Sequence, residues 1–461
     1  EAASEGRLRT VKGFGAKTEA RILEAIARYQ SRSGRLRLGD ALPIAEELVA
    51  ALRNAAEADQ LALAGSLRRG DSTVRNLDLV AAAADPAALL AAFTALPQVA
   101  AVVSSGAGSA AVTLHNGFQA DLAVVAPGHW GTALQFRTGS REHHALLAPL
   151  AAARGLAFGA NGLRDAQGAP DGAPSPFASE EEVYAALGLP WIPPELRNGW
   201  DEVERALAGT LPALLEQREL RADLHWHTEW SDGRAPLRAM AEAGRLLGYS
   251  HMSVADHSAY LGVTNGLDPA RLRAQRAEID ALNAEFAAQG LGFRLLQGCE
   301  VDILPDGSLA LPDETLAELD VVIASPHTGL RQPRAESTAR LIRAIQHPHV
   351  DLIGHPTGRL INERDGADLD MEAVLDAAAA AGTALEINAS PERLDLDAPL
   401  ARQALRRGIR LSINTDAHAP GHLAAVGLGV LTARRSGARA EDILNTWSYE
   451  QLTDWLRTHK S

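Results

Sequence analysis

The sequence predicts a multidomain chain of α/β and α+β type, ending in a parallel β/α barrel. Three observations predict it. From about residue 219 apolar strand-like runs and helical segments alternate at α/β spacing to the end. Seven of those runs stop at a polar residue: Asp223-Leu224-His225-Trp226-His227, Asp256-His257, Cys299-Glu300, Pro326-His327, Gly354-His355, Glu386-Ile387-Asn388 and Thr415-Asp416-Ala417-His418. Before 219 the pattern is different, with short strand candidates gathered between about 40 and 130. A run that ends in an imidazole or a carboxylate, repeated around a chain, gathers ligands at the C-terminal rim of a parallel barrel. This pattern predicts a hydrolytic metal site.

Taken in order, residues 7–30 read as a hairpin followed by an amphipathic helix. Val11-Lys12-Gly13-Phe14-Gly15 supplies the turn, and Ala20, Ile22, Leu23 and Ile26 the apolar face. Strands are predicted at Leu77–Ala83, Ala100–Ser104, Ala110–His115 and Gln119–Val125. Residues 130–190 read as helical and then loop-rich, with Gly and Pro clustered at 155–177. Pro190, Pro193 and Pro194 precede a helix predicted over about 200–217.

Totals exclude several classes. The 461 residues suit two to four domains, and 46% apolar residues with 4% aromatics leave Ala and Leu to fill the cores. One cysteine excludes an intrachain disulfide framework and fits a reducing, cytoplasmic setting. No stretch is long and apolar enough for a membrane helix, and no signal peptide is visible. The net charge of −14 argues only mildly against nucleic acid, because local charge outweighs the total. The chain starts at Glu1 rather than Met, which suits a fragment.

The candidate ligands are His225, His227, Asp232, His257, Glu300, His327, His355, Asp416 and His418. Imidazole with carboxylate suits zinc, manganese or iron and does not suit calcium. Nine ligands exceed one ion's needs, so two or three divalent metals are expected. Cys299 reads as a packed thiol, and His251, His347, His349, His422 and His459 as surface residues, with His422 near enough to the rim to support a ligand. Arg359 is a candidate phosphate contact.

These spacings resemble the polymerase-and-histidinol-phosphatase (PHP) phosphoesterases over nearly all of 219–461. The resemblance implies a distorted (β/α)₇ barrel with a trinuclear site. It implies His225, His227, Glu300 and Asp416 on one metal, and Glu300 as a bridge to a second held by His327 and His355. Asp232, His257 and His418 would hold the third.

In the first half, Gly65-Ser66-Leu67-Arg68-Arg69-Gly70 precedes Asn76-Leu77-Asp78. A Gly-Ser turn at a helix start presents N–H groups to a triphosphate, and arginines add charge-assisted contacts. Asp78 and Asp121 fit carboxylates on neighbouring strands. This half resembles the family-X DNA polymerases, related to polymerase beta, whose bacterial members carry a PHP domain behind the polymerase. The resemblance implies a helix-hairpin-helix holding a DNA phosphate with Gly13, Gly15 and Lys17. It also implies a thumb segment, Leu134 to Ser140, with Phe136, Arg137 and Gly139 under the incoming nucleotide. The chain departs from the family at three positions. Asn76 stands where the family has the first Asp of Asp-x-Asp, Arg137 replaces the second aromatic, and His144 stands where an asparagine is usual. The family's amino-terminal lyase domain falls outside this sequence.

The implied domains are a helix-hairpin-helix segment at 1–38, a nucleotidyltransferase palm at 39–130, a thumb at 131–195, a linker at 196–218 and the PHP domain at 219–461. The implied activity is repair synthesis on gapped or primer-template DNA with dNTP, using magnesium or manganese, joined to 3′–5′ exonuclease trimming of 3′ ends. Asn76 makes nucleotidyl transfer weak, manganese-dependent or lost. The chain is expected to be a monomer. Two rivals remain: a DNA-docking module fused to an active nuclease, and a small-molecule phosphatase.

Overall fold

The structure, a computed structural model, describes residues 34–159, 161–166 and 174–459. The hairpin and helix expected at 7–30, with Gly13, Gly15 and Lys17, lie outside the described residues. Helix α1 (Leu38–Ala55) buries Leu38, Ala41, Ala45, Leu48 and Leu52. This three-and-four spacing forms a single apolar stripe. The stripe packs in one cluster with residues of a five-stranded sheet made from β1 (Gln60–Leu63), β2 (Asn76–Ala82), β3 (Val99–Ser105), β4 (Ser109–Leu114) and β5 (Gln119–Val125). The strand order is β1-β2-β5-β4-β3, and only β2 and β5 run parallel. Their register sets Asn76 opposite Gln119 and Asp78 opposite Asp121. Each of the four expected strands appears, displaced by at most one residue at either end. Between β1 and β2 lies the one-turn helix α2 (Gly65–Arg68), and α3 (Pro86–Thr94) follows β2.

Next come α4 (Trp130–Thr138), α5 (Arg141–Ala152), a hairpin of β6 (Leu156–Gly159) with β7 (Gly162–Asp165), α6 (Glu180–Ala186) and α7 (Glu202–Leu207). The hairpin corrects the reading of 155–177 as loop: its glycines flank short strands. The helix expected over 200–217 ends at Leu207. Gly209 adopts φ +67°, Pro212 lacks an amide hydrogen, and the Thr210 amide turns back to the Arg205 carbonyl at 2.8 Å.

The second half is a seven-stranded parallel sheet: β8 (Ala222–Asp223), β9 (His251–Val254), β10 (Arg294–Asp302), β11 (Val321–Ser325), β12 (Leu352–Ile353), β13 (Ala384–Asn388) and β14 (Leu411–Asn414), paired in sequence order. Helices α8 (Leu237–Leu246), α9 (Pro269–Ala288), α10 (Arg334–Ile345), α11 (Met371–Ala381), α12 (Ala398–Arg406) and α13 (Val426–Ser436) stand between strands or follow the last one, and α14 (Tyr449–His459) ends the described chain. A parallel bridge between Trp226 and Ala417 draws the first and last strands together, so the sheet is a nearly closed barrel. Every residue of these strands is buried except Arg294, as expected of parallel strands covered on both faces. Among the described residues no helix is long and apolar enough to cross a membrane.

Candidate metal centre and a second carboxylate site

The nine predicted side chains converge at the barrel rim. Glu300 ends up among five imidazoles. Its Oε1 lies 2.8 Å from His355 Nε2, 3.1 Å from His327 Nε2 and 3.5 Å from His225 Nε2; its Oε2 lies 2.9 Å from His257 Nδ1 and 3.8 Å from His227 Nε2. Asp416 Oδ1 lies 3.0 Å from His227 Nε2 and 3.9 Å from His225 Nε2. Asp232 lies 3.3 Å from His418 Nε2 and 3.5 Å from His257 Nε2.

Three sets bring one ligand atom from each member within 4.8 Å of one another: His227, Asp232, His257 and His418; His225, His227 and Asp416; His257, Glu300 and His327. Among the described residues, buried His225 Nε2 and His227 Nδ1 have no hydrogen-bond partner, and Glu300 Oε2 and His257 Nδ1, though 2.9 Å apart, are not aligned to make one. Leaving such groups unmatched is costly. Imidazole nitrogens and carboxylate oxygens crowded together without protein donors between them fit divalent cations. His355 and Asp416 adopt φ of +27° and +55°, a conformation that costs a non-glycine residue on the order of 1 kcal/mol and concentrates at functional sites.

The charges of the cluster are closely coupled. Burial opposes charge on Glu300, but His327, His225 and His257 outweigh it and hold the carboxyl well below its usual range. Burial also opposes charge on His257, yet Glu300 and Asp232 raise its pKa to about 10. His227, buried and beside His257, is pushed down to about 3. A neutral imidazole keeps a lone pair free for a cation.

Side chains without a predicted role orient the ligands. Glu386 Oε1 meets His225 Nδ1 at 2.8 Å, and its other oxygen accepts the His355 amide at 2.7 Å. Asp302 meets His327 Nδ1 at 2.8 Å, and the Asp416 carbonyl meets His418 Nδ1 at 2.8 Å. Each contact fixes which ring nitrogen faces the cavity. Carboxylates inside otherwise apolar strands were the signal for Glu386 and Asp302. Arg393 was missed as well: its Nε lies 3.5 Å from Asp416 Oδ2. Arg359, expected at a phosphate, is bound instead to the carbonyls of Arg393 and Leu394 and to Asp397. Cys299 is buried, as expected. His251 is a correction: it is fully buried at the start of β9, edge-on to Tyr449 of α14, and burial lowers its pKa to about 4. His347 and His349 are half-buried, while exposed His422 accepts the His418 amide through Nδ1 at 3.4 Å.

In the five-stranded sheet, Asp78 and Asp121 stand side by side, but amides fill the space between their oxygens. Asn76 Nδ2 donates to Asp78 Oδ1 at 2.8 Å and to Asp121 Oδ2 at 2.6 Å. Gln119 Nε2 donates to both Asp121 oxygens, at 2.8 and 3.1 Å. Burial and the neighbouring Asp121 raise Asp78 to about 6. Gly65 has φ +59°, and a Cβ there would sit 2.1 Å from Asp78 Oδ2, so only glycine lets this turn approach the carboxylate. Ser66 follows it in α2 and is half-buried.

Arg68 and Arg69 point into the protein. Arg68 grips Glu180 of α6 at 2.9 and 2.8 Å, and Arg69 bonds the Thr138 and Gly139 carbonyls and Asp71. His144 is stacked between Phe136 and Phe158, each with its ring centroid 5.1 Å away. Arg137 is exposed, and its charge reaches Asp78.

Comparison with known proteins agrees with both halves. Residues 133–198 match the family described as DNA polymerase beta thumb, and residues 223–390 match the PHP domain. The DNA polymerase/3′-5′ exonuclease PolX of Bacillus subtilis (strain 168) is 39% identical over 459 residues, covering 99% of this chain and 79% of its own length. A probable phosphatase of Thermoanaerobacter sp. (strain X514) is 32% identical over 182 residues, 37% of this chain and 70% of that protein.

Proposed function

The chain belongs to the PolX family of DNA polymerase/3′-5′ exonucleases, and on that premise we propose that its barrel rim is a metal-dependent 3′–5′ exonuclease acting in DNA repair. The observation that carries this reading is Glu300 among five imidazoles, with nine candidate ligands converging on one rim. His225, His227, Glu300 and Asp416 would hold one cation, Glu300 with His327 and His355 a second, and Asp232, His257 and His418 a third. Two or three ions, zinc, manganese or iron, would supply Lewis acidity and an activated water. The protein's own part is orientation. Glu386 and Asp302 hold His225 and His327 by their outer nitrogens, so the inner nitrogens need no reorganisation.

The sheet of 39–130 is the palm, 131–195 the thumb, 196–218 a linker and 219–461 the PHP domain, with DNA and dNTP as partners and a monomeric, cytoplasmic protein. The palm carboxylates do not fit a two-cation site as they stand. Two amide groups donate into the oxygens that cations would use, and the third carboxylate is an amide. This favours a second reading of the palm, as a DNA-docking element with little or no nucleotidyl transfer.

Two assays separate the readings. Incubation of a 3′-labelled single strand with metal-loaded protein should release mononucleotides, and His227→Ala should abolish release. Primer extension on a gapped duplex with magnesium or manganese should be weak. No hydrolysis of DNA alongside rapid hydrolysis of a small phosphomonoester would overturn the exonuclease reading.

A further inference from the structure

Resting on the reading of the barrel as a 3′-end nuclease, we propose that Arg393 binds the substrate phosphate at the barrel mouth and that the palm, by holding Leu394 in its core, keeps Arg393 there. The palm is then a positioning part of the nuclease site, beyond any role in docking DNA.

The connection lies in four consecutive residues after β13, Pro391 to Leu394. Leu394 is fully buried and belongs, with Ile361 and Leu428, to the same hydrophobic cluster as Leu48, Leu67 and Val74 of the palm. Its φ of +41° is unusual for a branched side chain and makes a sharp bend directly after Arg393. Strain of this kind persists only where surrounding packing enforces it, and here the palm core does so. Glu392 lies 3.4 Å from Arg37 just before α1, and its carbonyl accepts the Ile361 amide at 2.7 Å. Pro391 abuts Gly39 so closely that a Cβ on that glycine would come within 2.6 Å of Pro391 Cβ. Three of the four residues therefore meet the palm or its seam.

The fourth, Arg393, turns to the metal ligands. Its Nε lies 3.5 Å from Asp416 Oδ2, and the side chain keeps 20% of its surface exposed. The bend is fixed from below: Ser390 O accepts the Arg393 and Leu394 amides at 2.9 and 3.1 Å, and Arg359 grips the two carbonyls. A phosphodiester at the rim meets Arg393 as a partly exposed planar cation beside the ligand cage. A guanidinium fork matches phosphate oxygens in pairs, which a point charge does not.

The test uses the full chain loaded with metal. KM and kcat are measured on a 3′-labelled single strand, binding of inorganic phosphate by titration calorimetry, and metal content by elemental analysis. Arg393→Ala should weaken phosphate binding and raise KM about tenfold or more, the size of one charge-assisted contact. Metal content should be unchanged, and Arg393→Lys should recover part of the loss. Gly39→Ala, a palm substitution whose Cβ would press on Pro391 and reach Leu428 Cδ1 at 3.0 Å, leaving Arg393 and the candidate ligands unaltered in sequence, should shift both constants the same way by about threefold or more, since small displacements of a binding group are costly.

Unchanged phosphate binding and KM in Arg393→Ala would overturn the proposal. A loss in Arg393→Ala with no effect of Gly39→Ala, its melting temperature being intact, would overturn the palm's part in it. Phosphate bound through Arg393 by a wild-type chain that cuts no 3′ end would refute the nuclease reading alone.

Discussion

Replacing Glu180 by alanine tests whether the arginines of the Gly-Ser turn serve the fold rather than a nucleotide. Glu180 is 5% exposed and receives Arg68 at 2.9 and 2.8 Å, Arg197 at 2.6 Å and the Trp191 indole at 3.1 Å. Arg197 is fully buried, so the substitution strands its guanidinium in the thumb core. Removing one partner of a buried pair costs about 3–5 kcal/mol. The pH dependence gives a second measure. Burial opposes charge on Glu180, but Arg68 and Arg197 overcome it and lower the carboxyl to about 2 from an ordinary 4.5. A depressed carboxyl adds stability that is full above pH 4.5 and disappears as pH falls toward 2. The 2.5-unit depression corresponds to about 3 kcal/mol at neutral pH. Hydrogen exchange at the amides of α6 reads the local opening energy at pH 7 and pH 3. Wild type should exceed Glu180→Ala by about 3 kcal/mol or more at pH 7, with the gap narrowing at pH 3. A gap below about 1 kcal/mol, or one indifferent to pH, would refute the reasoning.

Three further outcomes follow from the same contacts. Asn76→Asp removes the amide wedged between Asp78 and Asp121 and should raise primer extension about tenfold or more, since cations stabilise the transferring phosphoryl charge; extension no better than wild type would show that the palm is disabled elsewhere. Glu386→Gln weakens the grip on His225 Nδ1 and should lower metal affinity about tenfold to a hundredfold, read by competition with a chromophoric chelator. Stripping the metals should lower the melting temperature, because cations that bind only the folded barrel stabilise it by mass action; identical melting curves with and without chelator would contradict a loaded site.

The barrel was legible because its ligands follow a rule of position. All the candidates but Asp232, which sits in a loop, lie at or just beyond the end of an apolar run, and parallel strands bring their C-terminal ends to one rim, so His225, Glu300 and Asp416 could be grouped across nearly two hundred residues. What supports them was less legible. Glu386 and Asp302 lie inside the same strands, and only coordinates show which imidazole each one orients. Arg393 was hidden because its position depends on Leu394 entering the core of a different domain, a contact no local pattern encodes. The partners of Arg68 and Arg69 were hidden for a related reason: their motif suits a triphosphate, and nothing in it shows that Glu180, more than a hundred residues later, receives the Arg68 fork. The helix expected to run to 217 failed at Gly209 and Pro212, where local breakers outweighed the apolar pattern. Asn76 was readable as a departure from Asp-x-Asp, and the second amide, Gln119, stands two residues before Asp121 on one strand, where the period of two already puts both on one face; its bonds to both Asp121 oxygens show only in the structure.

The account stands or falls on whether one rim holds several cations. Elemental analysis of the purified full chain, run beside His227→Ala and paired with release of nucleotides from a 3′-labelled strand, addresses this directly. The expected result is two or three divalent ions per wild-type chain, fewer in the variant, and nucleotide release only from wild type. A wild-type chain that binds one ion or none and still trims 3′ ends at full rate would contradict it.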